Sequence, residues 1–316
     1  MRNLSLITLF LAIGIILGVS GAAMAQDDAS DQSAASAAGP NQGRVSLSVG
    51  FDITNFYLFR GIPQENAEFI IQPYTDIGFD LHKGDGLINS LDLNVGTWNS
   101  FHSNQTGASE IGTEPDSWYE SDLYAGITMG VLEDWETGVV YNVLTSPNDA
   151  FATIHEIQLS LGYDDSGLLG DWALSPTATM IFEVQNQADN GDDEGIYLEL
   201  GFGPSFTFNE GAAYPVTLSI PVKLGFSIDD YYENGIGDDD TFGYLDLGLG
   251  LGVPLAFIPD DLGNWEATAS VHLVFLGDSA SDIGEVTIDG TPTGGFGVTD
   301  GDDVFVVGLF GVSMSY

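Results

Sequence analysis

Cysteine is absent from the 316 residues, and basic side chains nearly are: five lysines and arginines stand against 47 acids, a formal charge of -42 at pH 7. Without cysteine there is no disulfide framework, thiolate zinc site, thiol nucleophile or lipidated N-terminal cysteine. So one-sided a charge repels phosphate backbones and anionic lipid surfaces, which excludes nucleic acid as a partner. Histidine is scarce too. His82, His102, His155 and His272 show no metal-ligand or nucleophile-elbow spacing, and carboxylate pairs such as Glu120 and Asp122 are commonplace among 47 acids. No enzyme and no specific metal site or cofactor is expected. After residue 25 no apolar run approaches the roughly 18 residues of a membrane helix. Yet hydrophobic residues make up 44% and aromatics 11%, too many for a disordered acidic tail.

The first 25 residues have the plan of an export signal. Arg2 is a short positive start, Leu4 to Val19 an apolar run, and Ala23-Met24-Ala25 a small-x-small box, predicting cleavage after Ala25. Residues 26–43 contain no large apolar side chain and read as a flexible periplasmic leader. From Arg44 to Tyr316 the character is uniform, so 44–316 reads as one domain.

Its period is two. Ile196, Leu198, Leu200, Phe202, Pro204, Phe206 and Phe208 alternate with Tyr197, Glu199, Gly201, Gly203, Ser205 and Thr207, so a strand there has one apolar and one polar or tiny face. The pattern recurs on even positions over 174–184, 216–228 and 304–316. It runs on odd positions over 45–53, 69–81, 91–101, 123–129, 137–143, 157–163, 245–255 and 265–275. Pro204 and Pro221 should weaken their strands modestly.

Three features say which face is wet. Connections alternate between short ones (83–86, 131–134, 164–171, 209–215, 256–264) and longer acidic ones (102–117, 185–195, 230–241, 277–303). The polar face is rich in glycine, serine and threonine but nearly free of lysine, unlike the guarded outer face of a soluble sheet. Tyr57, Trp98, Trp118, Tyr119, Trp135, Tyr163, Trp172, Tyr214, Tyr244 and Trp265 gather near strand ends, as interfacial aromatic girdles do. The fold expected is all-β: a single antiparallel up-and-down transmembrane β-barrel of about 12 strands (roughly 10–14), in the outer membrane, apolar face to lipid and both termini periplasmic. The loop 277–303, with Glu285-Val286-Thr287-Ile288, is expected to extend the last hairpin beyond the membrane.

The chain ends Phe310-Gly311-Val312-Ser313-Met314-Ser315-Tyr316, alternately apolar and closing on an aromatic. That ending resembles the signal read by the barrel assembly machinery, an expected partner beside the outer-membrane lipids; Leu309 departs from the polar residue such signals carry. Asn55-Phe56-Tyr57-Leu58-Phe59-Arg60-Gly61-Ile62-Pro63-Gln64 is similar to the N-terminal signature of the TorF-like porin family: an aromatic pair, Arg-Gly-Ile, a polar residue and Gln. Val95-Gly96-Thr97-Trp98-Asn99-Ser100 and Glu120 to Gly126 agree with it, and Glu156 to Gly162 agrees more loosely. The likeness spans about Val45 to Tyr163. It implies an outer-membrane barrel and a pore, without naming a solute.

On this register the pore-lining residues are Asp52, Asp76, Asp80, Asp92, Asn94, Glu120, Asp122, Glu156, Gln158, Tyr197, Glu199, Tyr244, Asp246 and Glu266, with Lys223 and Arg60 opposing them. Charges in such number need water or partners, which a hydrated lumen supplies, and rings of carboxylates favour cations. Arg60 either pairs with Glu120 and Asp122 at a constriction or forms a salt bridge that anchors the first loop. The acidic loops, with Asp189, Asp192, Asp193, Glu194, Asp238, Asp239 and Asp240, are expected to be solvated, holding Ca2+ or Mg2+ loosely if at all. The function expected is a passive, cation-selective porin for small solutes. The alternative is a non-conducting surface protein whose acidic loops bind divalent cations, polysaccharide or another cell.

Overall fold

A computed structural model describes residues 43–65, 69–103, 117–189, 191, 193–212, 214–233, 240–283, 287–288, 291–292 and 304–316. The expected signal peptide, 1–25, and all of the leader but Gly43 lie outside the described residues.

Twelve antiparallel strands close into a barrel. They are β1 (Val45–Thr54), β2 (Ile70–Lys83), β3 (Ile88–His102), β4 (Trp118–Val131), β5 (Trp135–Thr145) and β6 (Ile154–Tyr163). There follow β7 (Thr177–Gln185), β8 (Ile196–Phe202 and Ser205–Phe208), β9 (Val216–Ser219 and Val222–Asp229), β10 (Phe242–Pro254), β11 (Asn264–Leu276) and β12 (Val304–Ser315). Each pairs with its sequence neighbour, and β12 returns to β1 in a register running from Ser48 opposite Ser315 to Thr54 opposite Leu309. Closure leaves no edge strand, so every strand has ladder partners on both sides. No described helix is long and apolar enough to cross a membrane.

The alternation predicts the facing of every strand. Leu123 is 59% exposed, Val139 50% and Val306 57%, whereas inward Asp122, Glu156 and Thr179 are buried. A chain folding in water would reverse that preference. Both described ends, Gly43 and Tyr316, lie at the end of the barrel that carries the short turns.

Pro204 and Pro221 do more than weaken their strands. Each splits one: β8 breaks at Gly203 and Pro204, β9 at Ile220 and Pro221. The breaks face each other, with Ile220 N donating to Pro204 O at 3.0 Å, and β10 spans the gap through Gly248 N to Pro221 O at 2.8 Å. A missing amide on each of two adjacent strands lets both bend together.

Candidate functional site

The segment after β1 turns inward. Tyr57–Phe59 pairs with Ile62–Glu65 across a two-residue turn in which Arg60 and Gly61 have φ of 50° and 87°, the left-handed pair that tight hairpins need. A side chain at Gly61 would place its Cβ 2.8 Å from the Tyr244 ring, so glycine is required on both counts. This inner hairpin crosses the lumen. Phe56 meets Phe305 of β12 at 4.9 Å between ring centroids, Tyr57 donates to Glu120 of β4 at 2.8 Å, and Tyr119 of β4 donates to Gln64.

At the tip, Arg60 forms a two-pronged pair with Glu156 of β6, both contacts 2.6 Å, and it also meets the Tyr231 hydroxyl at 2.7 Å. The Tyr232 hydroxyl closes on the Arg60 carbonyl at 2.7 Å. Glu156 thus takes the place expected of Glu120 and Asp122. The turn carries the guanidinium two strands beyond the wall that Tyr57 reaches, so Glu120 is met by the phenol instead. Arg60 anchors the first loop, and planar guanidinium on carboxylate is the strongest such anchor available.

Two packed clusters flank the hairpin at the long-loop end. One joins Ile62, Ile181, Tyr197, Tyr231 and Tyr232 to Ala280 and Ile283 of the short helix α1 (Asp278–Ile283). The other joins Tyr57, Ile70, Tyr74, Trp98 and Tyr119. Tyr57, Trp98, Tyr119 and Tyr244 are therefore interior residues, not members of a girdle. Trp98 and Tyr244 fall on the inward phase of the alternation, Tyr119 is turned inward where the β3–β4 register slips between Ser100 and Phe101, and Tyr57 belongs to the inner hairpin. Trp118, Trp135, Trp172 and Tyr214 do stand exposed on the outside. The start of the 277–303 loop likewise turns in as α1 instead of extending outward; residues 284–286, 289–290 and 293–303 lie outside the described residues.

The remaining candidates share the inner face. Asp76 accepts from Asn94 and from the Tyr124 hydroxyl, both at 2.9 Å. Asp80 stands opposite Asp92 and pairs with Lys83 at 2.8 Å. Glu199 receives the Tyr197 hydroxyl at 3.0 Å and the Tyr244 hydroxyl at 2.5 Å, and Lys223 lies 3.5 Å from its other oxygen. Asp246 meets His272 at 2.9 Å. Asp52 is buried on β1, and Glu266 is half-buried on β11. Asp122 Oδ1, Gln158 Oε1 and both amide atoms of Asn142 are buried with no hydrogen-bond partner in the protein.

Toward the short-turn end the inner positions shrink to glycine and serine. Tyr124 lies flat over Gly96, where a Cβ would stand 2.2 Å from its hydroxyl, and Tyr74 lies over Gly50 in the same way. Among the described residues Arg60 and Lys223 bring buried positive side chains to the inner face, and the exposed Lys83 reaches Asp80 at its rim, against many carboxylates.

Of the acidic-loop residues, Asp192, Asp238 and Asp239 lie outside the described residues. Asp193 and Glu194 are exposed. Asp240 accepts from the amide and hydroxyl of Ser279, at 3.1 and 3.0 Å. Asp189 accepts from the amides of Gly191 and Glu233, at 3.0 and 2.7 Å, tying two long loops together. Among the described residues no three acids or histidines converge on a metal position. Burial pushes the Asp189 carboxyl from 3.8 up to about 6, outweighing the two amides that favour its charge. The folded loops thus hold that proton more tightly than an unfolded chain, and the contact loses stability as pH rises through 4–6. Hydrogen exchange at Glu233, corrected for intrinsic rate, is expected to quicken over that window and to lose the trend in Asp189→Asn. A flat profile in the parent chain would contradict this.

Sequence reasoning missed Glu183, which faces Glu156 across β6 and β7, and His272 beside Asp246, although both lie on the inward phase already read. Tyr231 and Tyr232 come from a loop, where no period announces them. A signal for the inner hairpin did exist: β12 is apolar on both faces over Val304–Leu309, and inward Phe305 and Val307 pack against the hairpin side. Inward Leu309, the departure from a polar residue in the terminal pattern, lines the cavity beside it.

No family model matches the chain, and no curated protein matches it. Among solved structures it is similar to the β domain of the Bordetella autotransporter Brka, at 13% identity over 86% of this chain and 98% of that one, TM-score 0.41. It is also similar to a bacterial polysaccharide outer-membrane secretin, at 9% identity over 86% and 97%, TM-score 0.44. An outer-membrane channel from Pseudomonas putida F1 matches at 9% identity over 86% and 95%, TM-score 0.45.

Proposed function

We propose that the chain is an outer-membrane β-barrel that passes small cations and neutral solutes through a narrow, acid-lined lumen. The observation that carries this is the reversal of faces in a closed barrel: apolar side chains outside, carboxylates within. An apolar exterior of that extent belongs in lipid, which requires the closed hydrogen-bonding the barrel provides. The interior carboxylates focus a negative potential that enriches cations and repels anions. The inner hairpin narrows the passage at the long-loop end, and the motif likened to TorF-like porins is this hairpin. By that reading the short turns and both termini face the periplasm, and the terminal strand is presented to the barrel assembly machinery.

The packed clusters around the hairpin favour a second reading, in which the barrel is closed at that level and serves as a surface protein. A planar bilayer separates the two. The refolded chain under a potassium chloride gradient is expected to show discrete conductance with a cation-selective reversal potential. Asp76→Asn with Asp92→Asn should move that potential toward zero, because these acids line the inner face. A folded barrel that never conducts would overturn the channel.

A further inference from the structure

Ser270 and His272 sit two residues apart on the inner face of β11, with Asp246 beside them on β10. His272 Nδ1 stands 2.9 and 3.0 Å from the two Asp246 oxygens, and Nε2 stands 3.1 Å from the Ser270 hydroxyl. An ionised carboxylate only accepts hydrogen bonds, so Nδ1 keeps its proton toward Asp246 in either charge state of the ring. In the neutral form Nε2 is then left to accept from Ser270. Carboxylate to Nδ1 and Nε2 to hydroxyl is the connectivity that activates a serine nucleophile. Asp246 and His272 are 26 residues apart and meet only across the β10–β11 register, which is why no spacing in the sequence announces an enzyme. A second serine–histidine pair, Ser100 with His102 at 2.9 Å, is fully enclosed, and its ring lies 3.9 Å from the Glu65 carboxylate.

Two glycines of β10 make room for the first set. The imidazole lies over Gly248, where a Cβ would stand 2.8 Å from His272 Cε1 and 2.6 Å from the Pro221 ring. Gly250 leaves a floor between two serines: a Cβ there would stand 3.7 Å from Ser270 Cβ and 2.5 Å from Ser219 Oγ. A carbonyl seated on that floor meets the Ser270 hydroxyl and finds in Ser219 a donor for its developing charge. His272 and Asp246 keep 18% and 17% of their side-chain surface exposed, so the group opens on the interior. It borders a cavity of about 150 Å³ that Phe56, Leu58, Arg60, Lys223, Val307 and Leu309 also line. Leu309 and Val307 are the cross-strand neighbours of Ser270 and His272, so an acyl chain on Ser270 runs at once against apolar carbon. The volume suits a chain of up to about six heavy atoms, since a cavity of this size in another protein accommodates benzene.

We infer that Ser270, His272 and Asp246 form a hydrolytic site for short-chain carboxylic esters inside the barrel. Ser270 Oγ attacks the ester carbonyl carbon while its proton passes to His272 Nε2. The tetrahedral intermediate expels the alkoxide, which takes that proton and leaves as the alcohol. Water then gives a proton to Nε2 and attacks the acyl carbon, and the acid departs as Ser270 recovers the proton. One ester and one water yield one acid and one alcohol, with no other reactant. Ser270 and His272 are the catalytic residues; Asp246 is a positioning residue that holds the ring. The site goes beyond the channel reading and needs only that the ester enter the lumen.

Hydrolysis of p-nitrophenyl butyrate by the folded chain in detergent, at mildly alkaline pH, tests this. Saturable turnover is expected, and a fluorophosphonate reagent should label Ser270, as located by peptide mass spectrometry. Ser270→Ala should abolish the label and lower kcat/KM by roughly a hundredfold or more. Asp246→Asn, nearly isosteric, should lower kcat by about tenfold or more with KM little changed, a split that loss of packing alone does not produce. Ser100→Ala should change neither rate nor label. Absence of saturable turnover, absence of label on Ser270, or a folded Ser270→Ala as active as the parent would each overturn the site. Conductance is read on the same preparations. Conductance without hydrolysis overturns the site alone, whereas hydrolysis without conductance supports the site and overturns the channel.

Discussion

Arg60→Ala is expected to cost the barrel about 3–5 kcal/mol of stability, because it leaves Glu156 ionised and buried with its counter-charge gone. The pair is two-pronged at 2.6 Å, with Glu156 fully enclosed and Glu183 opposite it across the strands. Removing one partner of such a pair costs far more than the pair itself contributes, since its attraction mainly offsets the cost of taking both ions from water. Arg60→Met with Glu156→Leu should therefore recover most of the loss. Denaturant unfolding in a fixed detergent compares the three chains. A single variant within 1 kcal/mol of the parent, or a double variant no better than the single, would show that the bridge does not anchor the hairpin. In the bilayer, the same single variant is expected to raise conductance, because the hairpin loses its hold on the far wall.

The second large effect lies on the outside. Val139, half exposed near the middle of β5, is expected to tolerate alanine but not arginine: Val139→Arg should cost about 2–4 kcal/mol when the barrel folds into a bilayer, as charges at the midplane of such barrels do. On a soluble sheet the same change would sit in water and cost little. Unfolding from lipid vesicles measures the difference, and a neutral result would place β5 outside the membrane. The inward neighbour Gly138 offers the reverse control, because a polar substitution there changes the lumen while leaving the lipid face intact.

Period two was enough to assign nearly every strand and the facing of each. Ile196 to Phe208 shows why: side chains alternate by covalent geometry, so a single apolar parity names the outer face before any partner strand is known. Loop lengths likewise sorted the two ends of the barrel. The alternation over 304–316 read as the last strand, and its pairing with β1 closes the barrel.

Parity names a face, but not what stands at the centre of the barrel. Arg60 and Glu156 are 96 residues apart and meet only because closure brings β1 and β6 to opposite sides of one lumen. The same holds for Tyr57, Trp98, Tyr119 and Tyr244, where proximity to strand ends read as a membrane girdle and packing around the inner hairpin made a core. Pro204 and Pro221 each looked mild alone; they break their strands because the register sets them side by side. By itself, then, the sequence determined the strands, their two faces and the expectation of closure into a barrel, all set by local alternation and turn chemistry. Tertiary structure alone decided which carboxylate holds Arg60, where the apolar wall of β12 finds its partner, and that a cavity remains between them, because each depends on distances across a closed ring.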